Sequence, residues 1–132
     1  MTAFYAHAGG VTAGFLLLAA GFVIVRFHRQ KRWWLKYHRI AGNTGALCFL
    51  AGLAAAVLMV AQSGEGHLKL PHAWLGISTL ALVVATPVIG QMQFRIKARL
   101  PQLRMTHRWF GRVTLAMAFL TLLSGLRTAG VI

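Results

Sequence analysis

The sequence predicts an all-α membrane protein, an up-down-up-down bundle of four transmembrane helices with both termini outside. Three observations predict it. The 132 residues are 58% apolar and only 11% charged, whereas a soluble domain carries about 25% charged residues. The apolar residues gather in four runs, each close to the roughly 20 residues that cross a bilayer as a helix. The basic residues gather between those runs, mostly in two of the three connections. At this length the chain is one domain, residues 1–132.

The first run, about 4–26, is led by "MTAFYAHAGG", which holds no Lys or Arg. A cleaved secretory signal opens on a basic stretch, so a retained span is expected. The second run covers about 34–61 and contains the single cysteine, Cys48. One cysteine forms no internal disulfide, and no Cys-x-x-Cys-His attachment sequence is present; Cys48 reads as a small buried packing residue. The third run covers about 70–93. Pro71 suits its first turn, where a missing N–H is not needed, and Pro87 inside the run is expected to kink it. The fourth run covers about 104–126, with Pro101 marking the connection before it. Short connections make successive helices antiparallel.

Charge sets the orientation. Arg26, Arg29, Lys31, Arg32, Lys36 and Arg39 flank the first connection, and Arg95, Lys97, Arg99, Arg104, Arg108 and Arg112 flank the third. Only Lys69 and Arg127 lie at the other end. Cytoplasmic connections carry the excess of Lys and Arg, so both basic connections are expected in the cytoplasm and both termini outside. Trp33, Trp34, Tyr37 and Trp109 fall at the inner interface and Tyr5 and Trp74 at the outer, as aromatic belts do. A pI near 12.0 also marks nucleic-acid binders, but cations confined to connections between spans write topology instead, and no nucleic-acid partner is expected. The compact chain points to the inner membrane of a bacterium. No carboxylate lies in any span, since the only acidic residue is Glu65. Ion pumps and transporters need ionisable groups within the membrane, and that class is set aside.

Six histidines remain to be explained. His28 and His67 fall in connections and read as solvated residues. His7, His38, His72 and His107 each lie near the start of one helix. Helices 1 and 3 start outside, so His7 and His72 share the outer level; helices 2 and 4 start inside, so His38 and His107 share the inner level. Sequential neighbours put helices 1 and 3 on one diagonal and 2 and 4 on the other. Each pair then faces across the core at one depth, which is what six-coordinate haem iron needs of its axial ligands.

The surrounding residues repeat. Four residues after each histidine stand Val11, Gly42, Gly76 and Gly111; seven after, Gly14, Gly45, Thr79 and Thr114; fourteen after, Gly21, Gly52, Thr86 and Thr121. In a helix these share the histidine's face, and fourteen residues rise about 21 Å, the level of the opposite pair. A stripe of small residues therefore runs from each histidine and makes room for a macrocycle at both levels. Val11 departs from the pattern, with Gly10 beside it. Small residues also line ordinary transmembrane helix contacts, and a lone interfacial histidine is commonly a satisfied polar group; one per helix, paired by level, is a more specific arrangement. Zinc, which wants four ligands around one ion, is not served by two pairs at opposite ends.

With "AHAGG", "KYHRIAG", "PHAWLG" and "THRWFGR" around His7, His38, His72 and His107, the chain resembles the cytochrome b561 family over nearly its whole length. The resemblance implies a four-helix core with one ligand histidine per helix, helix 1 paired with 3 and 2 with 4, holding two haem b groups. Members pass electrons across a membrane. Many oxidise ascorbate on one side and reduce monodehydroascorbate or ferric iron on the other. The two peripheral helices of larger members have no counterpart here. The ferric reductase pattern, two histidines 13–14 residues apart on one helix, and the uneven histidine distribution of short quinol-oxidising di-haem proteins both fail to match.

The expected function is transmembrane electron transfer through two bis-histidine haem b groups, His7 and His72 holding the outer and His38 and His107 the inner. Gly42, Gly76 and Gly111 would give room beside them. Arg39, Arg108 and Arg112, with helix N-termini, would hold propionates on the inner side. Expected partners are membrane lipids, an electron donor and acceptor (a quinol, an ascorbate-like reductant or a redox protein subunit), and a homodimer or larger redox complex. Two rivals stand beside this reading. One is a quinol-linked or partner-linked anchor subunit, marked by a copurifying partner. The other is a cofactor-free helical scaffold, marked by a colourless preparation.

Overall fold

The computed structural model describes residues 1–64, 66 and 68–132; Glu65 and His67, expected in the outer connection, lie outside them. Four long helices follow one another: α1 (Thr2–Phe27), α2 (Trp34–Ser63), α3 (Pro71–Arg95) and α4 (Leu100–Thr128), with a single 3-10 turn at Lys97–Arg99 before α4. No strand occurs among the described residues. Each helix has the length and hydropathy to cross a membrane.

These helices begin without the usual sequence signals. None has a side-chain cap, and none has an acidic residue in its first turn. In lipid every backbone N–H and C=O must be satisfied within the segment, and that requirement enforces helix without help from caps. It also carries the helices past the ends of the apolar runs. The largest difference is at α4, where Pro101 occupies the first turn instead of standing in the connection; a proline there costs no hydrogen bond. Pro87 lies inside α3 without ending it, although its missing N–H removes the bond to the Val83 carbonyl. Gly64 closes α2 in the left-handed conformation, φ 71°, which glycine adopts without a Cβ penalty.

The bundle is built from two antiparallel hairpins. In the first, α1 and α2 pack backbone to backbone. A Cβ on Gly10 would stand 3.0 Å from the Gly52 Cα, and one on Gly14 would stand 2.9 Å from the Gly45 carbonyl oxygen and 2.5 Å from the Phe49 ring. In the second, α3 and α4 are joined by hydroxyl pairs, Thr79 with Thr121 at 2.7 Å, buried, and Thr86 with Thr114 at 2.8 Å, partly buried. Both are devices of membrane helices, which lack a hydrophobic force between them and rely on close packing and interhelical hydrogen bonds. The hairpins meet over shorter stretches, α2 on α3 and α1 on α4; α1 and α3, and likewise α2 and α4, are diagonal.

A small apolar core lies between the hairpins: Val11, Ala46, Phe49, Val83 and Ala118, with Phe15, Leu18, Leu80 and Leu122 against it. Outward-facing positions carry large apolar side chains, among them Leu16, Phe22, Leu47, Leu58, Val88, Phe119 and Leu120. Such a surface belongs in hydrocarbon. Cys48 is half-buried, not buried as its neighbours in sequence imply, because it stands at the edge of the α1–α2 seam. His28 also differs from expectation. It follows α1 directly, its ring lies 5.4 Å from that of Trp33, and its Nδ1 is buried without a hydrogen-bond partner.

Candidate functional site

Each of the four helix-leading histidines is half-buried, and they meet in two pairs. The rings of His7 and His72 have centroids 6.1 Å apart with planes at 77°. Those of His38 and His107 are 6.0 Å apart with planes at 84°. The first pair lies at the end of the bundle that holds both chain termini, the second at the end with the two basic connections. Alternating helix direction produces this sorting, and each pair bridges the two hairpins.

Hydrogen bonds orient the rings. Nδ1–H of His7 donates to the Gly52 carbonyl (2.9 Å), that of His38 to Gly21 (3.0 Å) and that of His107 to Thr86 (3.0 Å). A carbonyl only accepts, so the proton sits on Nδ1 and Nε2 is left with a free lone pair. A metal-ligating histidine almost always uses its other N–H in this way, fixing tautomer and ring direction. All three acceptors stand fourteen residues after another of the histidines. The sequence placed these positions at the right level, but their part differs from the expected one. They hold the opposite imidazole and join helices; they do not open space.

The glycines four residues on behave differently. A Cβ on Gly42 or Gly76 would meet nothing within 4 Å, and one on Gly111 would meet only the Thr86 methyl at 4.0 Å. On α1 the same position is Val11, which packs its methyl against Gly52. His7, His72, Gly76, Val11, Phe49, Leu53, Leu80 and Thr121 line one narrow cavity between the hairpins. Two glycines that the sequence reading passed over touch the imidazoles: a Cβ on Gly90 would stand 2.9 Å from His107 Cε1, and one on Gly125 would stand 3.0 Å from His72 Cε1. Both lie eighteen residues after the histidine on their own helix. Eighteen residues are five full turns, so the same face, followed one turn further, contains the signal.

Arg39, Arg108 and Arg112 are all exposed at the basic end. The Arg39 guanidinium lies over the Phe94 ring at 5.2 Å, and that of Arg112 over Trp109 at 5.3 Å. Arg39 also lines a surface groove along α2 with Arg32, Lys36 and Asn43.

The donor set can be tested against a metal. Among the described residues no three His, Cys, Asp or Glu side chains converge, so these residues offer no donor set for a four-ligand zinc centre. An ion between two imidazoles needs ring centres about 6 Å apart, taking the metal–nitrogen bond at about 2 Å and about 1 Å from nitrogen to ring centre. Both pairs have that spacing. The residues present fit haem iron with two axial histidines.

A family model described as eukaryotic cytochrome b561 matches residues 6–132. The chain belongs to the cytochrome b561 family. No curated protein and no solved structure matches it. Membership of the cytochrome b561 family implies a multi-pass membrane protein of transmembrane electron transfer that binds haem b, and the four apolar helices agree with the membrane assignment.

Proposed function

We propose that this cytochrome b561 family member carries electrons across the membrane through two haem b groups, one held by His7 and His72 and one by His38 and His107. The observation that carries the reading is the pairing itself. Two pairs of imidazoles span the diagonals at 6.1 and 6.0 Å, and three of the four rings are tied by Nδ1–H so that Nε2 is free.

Haem iron supplies a one-electron couple between ferrous and ferric states. The chain's own residues do the rest. Close packing along the glycine and threonine seams fixes the two levels about 21 Å apart along the helix axes, by the rise of fourteen residues. Val83 and Ala118, neither accessible to solvent, belong to the apolar core that keeps water out between the levels. Gly42, Gly76 and Gly111 leave room beside their imidazoles. Arg39, Arg108 and Arg112 would neutralise propionates at the basic end, which by the charge rule would face the cytoplasm. No span contains a carboxylate, so proton pumping has no relay there.

A second reading keeps the haems and makes the chain a subunit. The connections at 28–33 and 96–99 and the stretch 64–70 are too short to fold as catalytic domains. Donor and acceptor, whether a quinol, a small reductant or a redox protein, must therefore come to the bundle from outside these residues. A stable copurifying redox protein would favour the subunit; turnover by the isolated chain with a soluble reductant would favour a free-standing carrier.

The deciding experiment is an absorption spectrum with a haem-to-protein ratio. Two haems per chain, with a Soret band and a sharp reduced α band, are expected. His38→Ala and His107→Ala should each remove the basic-end haem and leave the other. Retention of two haems in both variants would show the pairing to be wrong, and a colourless protein from haem-replete cells would return the chain to the scaffold class.

A further inference from the structure

Both hairpins have an internal two-fold pattern. In the first, His7, Gly14 and Gly21 match His38, Gly45 and Gly52. In the second, His72, Thr79, Thr86 and Gly90 match His107, Thr114, Thr121 and Gly125. Carbonyl acceptors follow the pattern at Gly52, Gly21 and Thr86. The fourth would be the Thr121 carbonyl, for His72. There the pattern breaks: His72 Nδ1 is buried with no hydrogen-bond partner. The Thr121 hydroxyl is occupied as well, donating to the Met117 carbonyl at 2.8 Å and pairing with Thr79.

What stands against the His72 ring is Gly125. A Cβ there would lie 3.0 Å from Cε1, 3.5 Å from Nε2 and 3.6 Å from Nδ1. Gly90 stands against His107 in the same manner, at 2.9 Å from Cε1 and 3.2 Å from Nδ1, but that ring is already tied to Thr86. The two contacts therefore have different consequences. His107 cannot turn away from an added methyl without breaking its hydrogen bond, so the helices must give. His72 can turn.

Resting on the two-haem reading above, we propose that Gly125 is the positioning residue of His72. Its bare backbone is the wall that bounds the turning of this imidazole, and His72 is the one of the four histidines whose Nδ1 has no hydrogen bond to fix its plane. The haem at the end with the chain termini then has one fixed and one adjustable ligand plane, while the basic-end haem has two fixed planes. The principal g values of a low-spin ferric haem follow the angle between its two axial imidazole planes, which makes the difference measurable without turnover.

The test uses the full holoprotein, its haem-to-protein ratio and its ferric electron paramagnetic resonance spectrum. His38→Ala, which keeps only the terminal-end haem, assigns the signals. In the unaltered protein the terminal-end signal should be broader than the basic-end signal, reflecting a spread of His72 orientations. Gly125→Ala should keep two haems, shift the terminal-end signal and leave the other in place. Gly90→Ala should leave the terminal-end signal where it is and reduce occupancy of the basic-end haem. A Gly125→Ala protein with both signals unmoved, with the basic-end signal moved, or without the terminal-end haem overturns the proposal. So does a terminal-end signal in the unaltered protein as narrow as its counterpart, a measurement that needs no variant to fold. Unaltered protein without haem overturns the two-haem reading and this proposal together, whereas two low-spin haems with an unresponsive Gly125→Ala overturn only the proposal.

Discussion

His38 donates its Nδ1–H to the carbonyl oxygen of Gly21, 3.0 Å away on the preceding helix. The same helix approach brings the two residues close: a Cβ on Gly21 would stand in ordinary contact, 3.6 Å, with that same ring nitrogen. A residue chosen for close helix packing thus also presents a carbonyl to an imidazole. Packing and ligand orientation are the same interaction on this seam, so variants that disturb one are expected to disturb the other.

Gly14 gives the sharpest stability contrast. Its added methyl would meet the Phe49 ring and the Gly45 carbonyl, and overpacking of this kind costs about 1–3 kcal/mol. Gly9 lies on the same helix with nothing within 4 Å of its would-be Cβ. Thermal unfolding in detergent should show Gly14→Ala well below the parent and Gly9→Ala at or slightly above it.

The threonine pairs should be unequal within themselves. Thr121 retains a bond to the Met117 carbonyl when Thr79 is removed, whereas Thr79 has only Thr121 as a described partner. Thr121→Val is therefore expected to cost more than Thr79→Val, on the scale of about 0.6 to 1.7 kcal/mol seen for interhelical bonds in membranes. A double-mutant cycle should return a coupling of that sign; independent effects would remove the hydroxyl pair from the account of the α3–α4 seam.

Gly76 and Gly42 separate folding from cofactor binding. Their Cβ positions face open space, so Gly76→Leu and Gly42→Leu should preserve helix content and expression. Each should lower the haem-to-protein ratio, the first through the terminal-end site and the second through the basic-end site. Full haem content in both would mean that the room beside these imidazoles is not where the macrocycle lies.

Orientation is open to chemistry from outside the cell. In a Cys48→Ser background, a membrane-impermeant thiol reagent should label Val131→Cys in intact cells and label Arg32→Cys only after the membrane is opened. The reverse pattern would place the basic connections outside, against the charge rule.

The four spans were legible because apolar runs of this length have few other uses, and the histidine levels because helix direction alternates. The face geometry was legible too: the positions fourteen residues after each histidine do reach the opposite level. What those positions do there was not. Sequence treats glycine and threonine alike as small, while the structure uses glycine to bring α1 and α2 backbones together and threonine hydroxyls to bond α3 to α4. Val11 could be seen to break the pattern, but not that it fills the seam at Gly52. Gly90 and Gly125 were within reach of the same periodicity. The missing acceptor at His72 was not, because it depends on how far one carbonyl lies from one nitrogen across two helices.

The seams run within the hairpins, while the histidine pairs run between them. On the proposed arrangement each prosthetic group is gripped once by either half, like a rivet through two plates. A newly made chain would hold its halves together only through the small apolar core between them, and the pigment would tighten that joint near both ends. Starving cells of haem would then leave a more loosely joined molecule, easier prey for membrane proteases, and the supply of cofactor would influence how much of the protein survives.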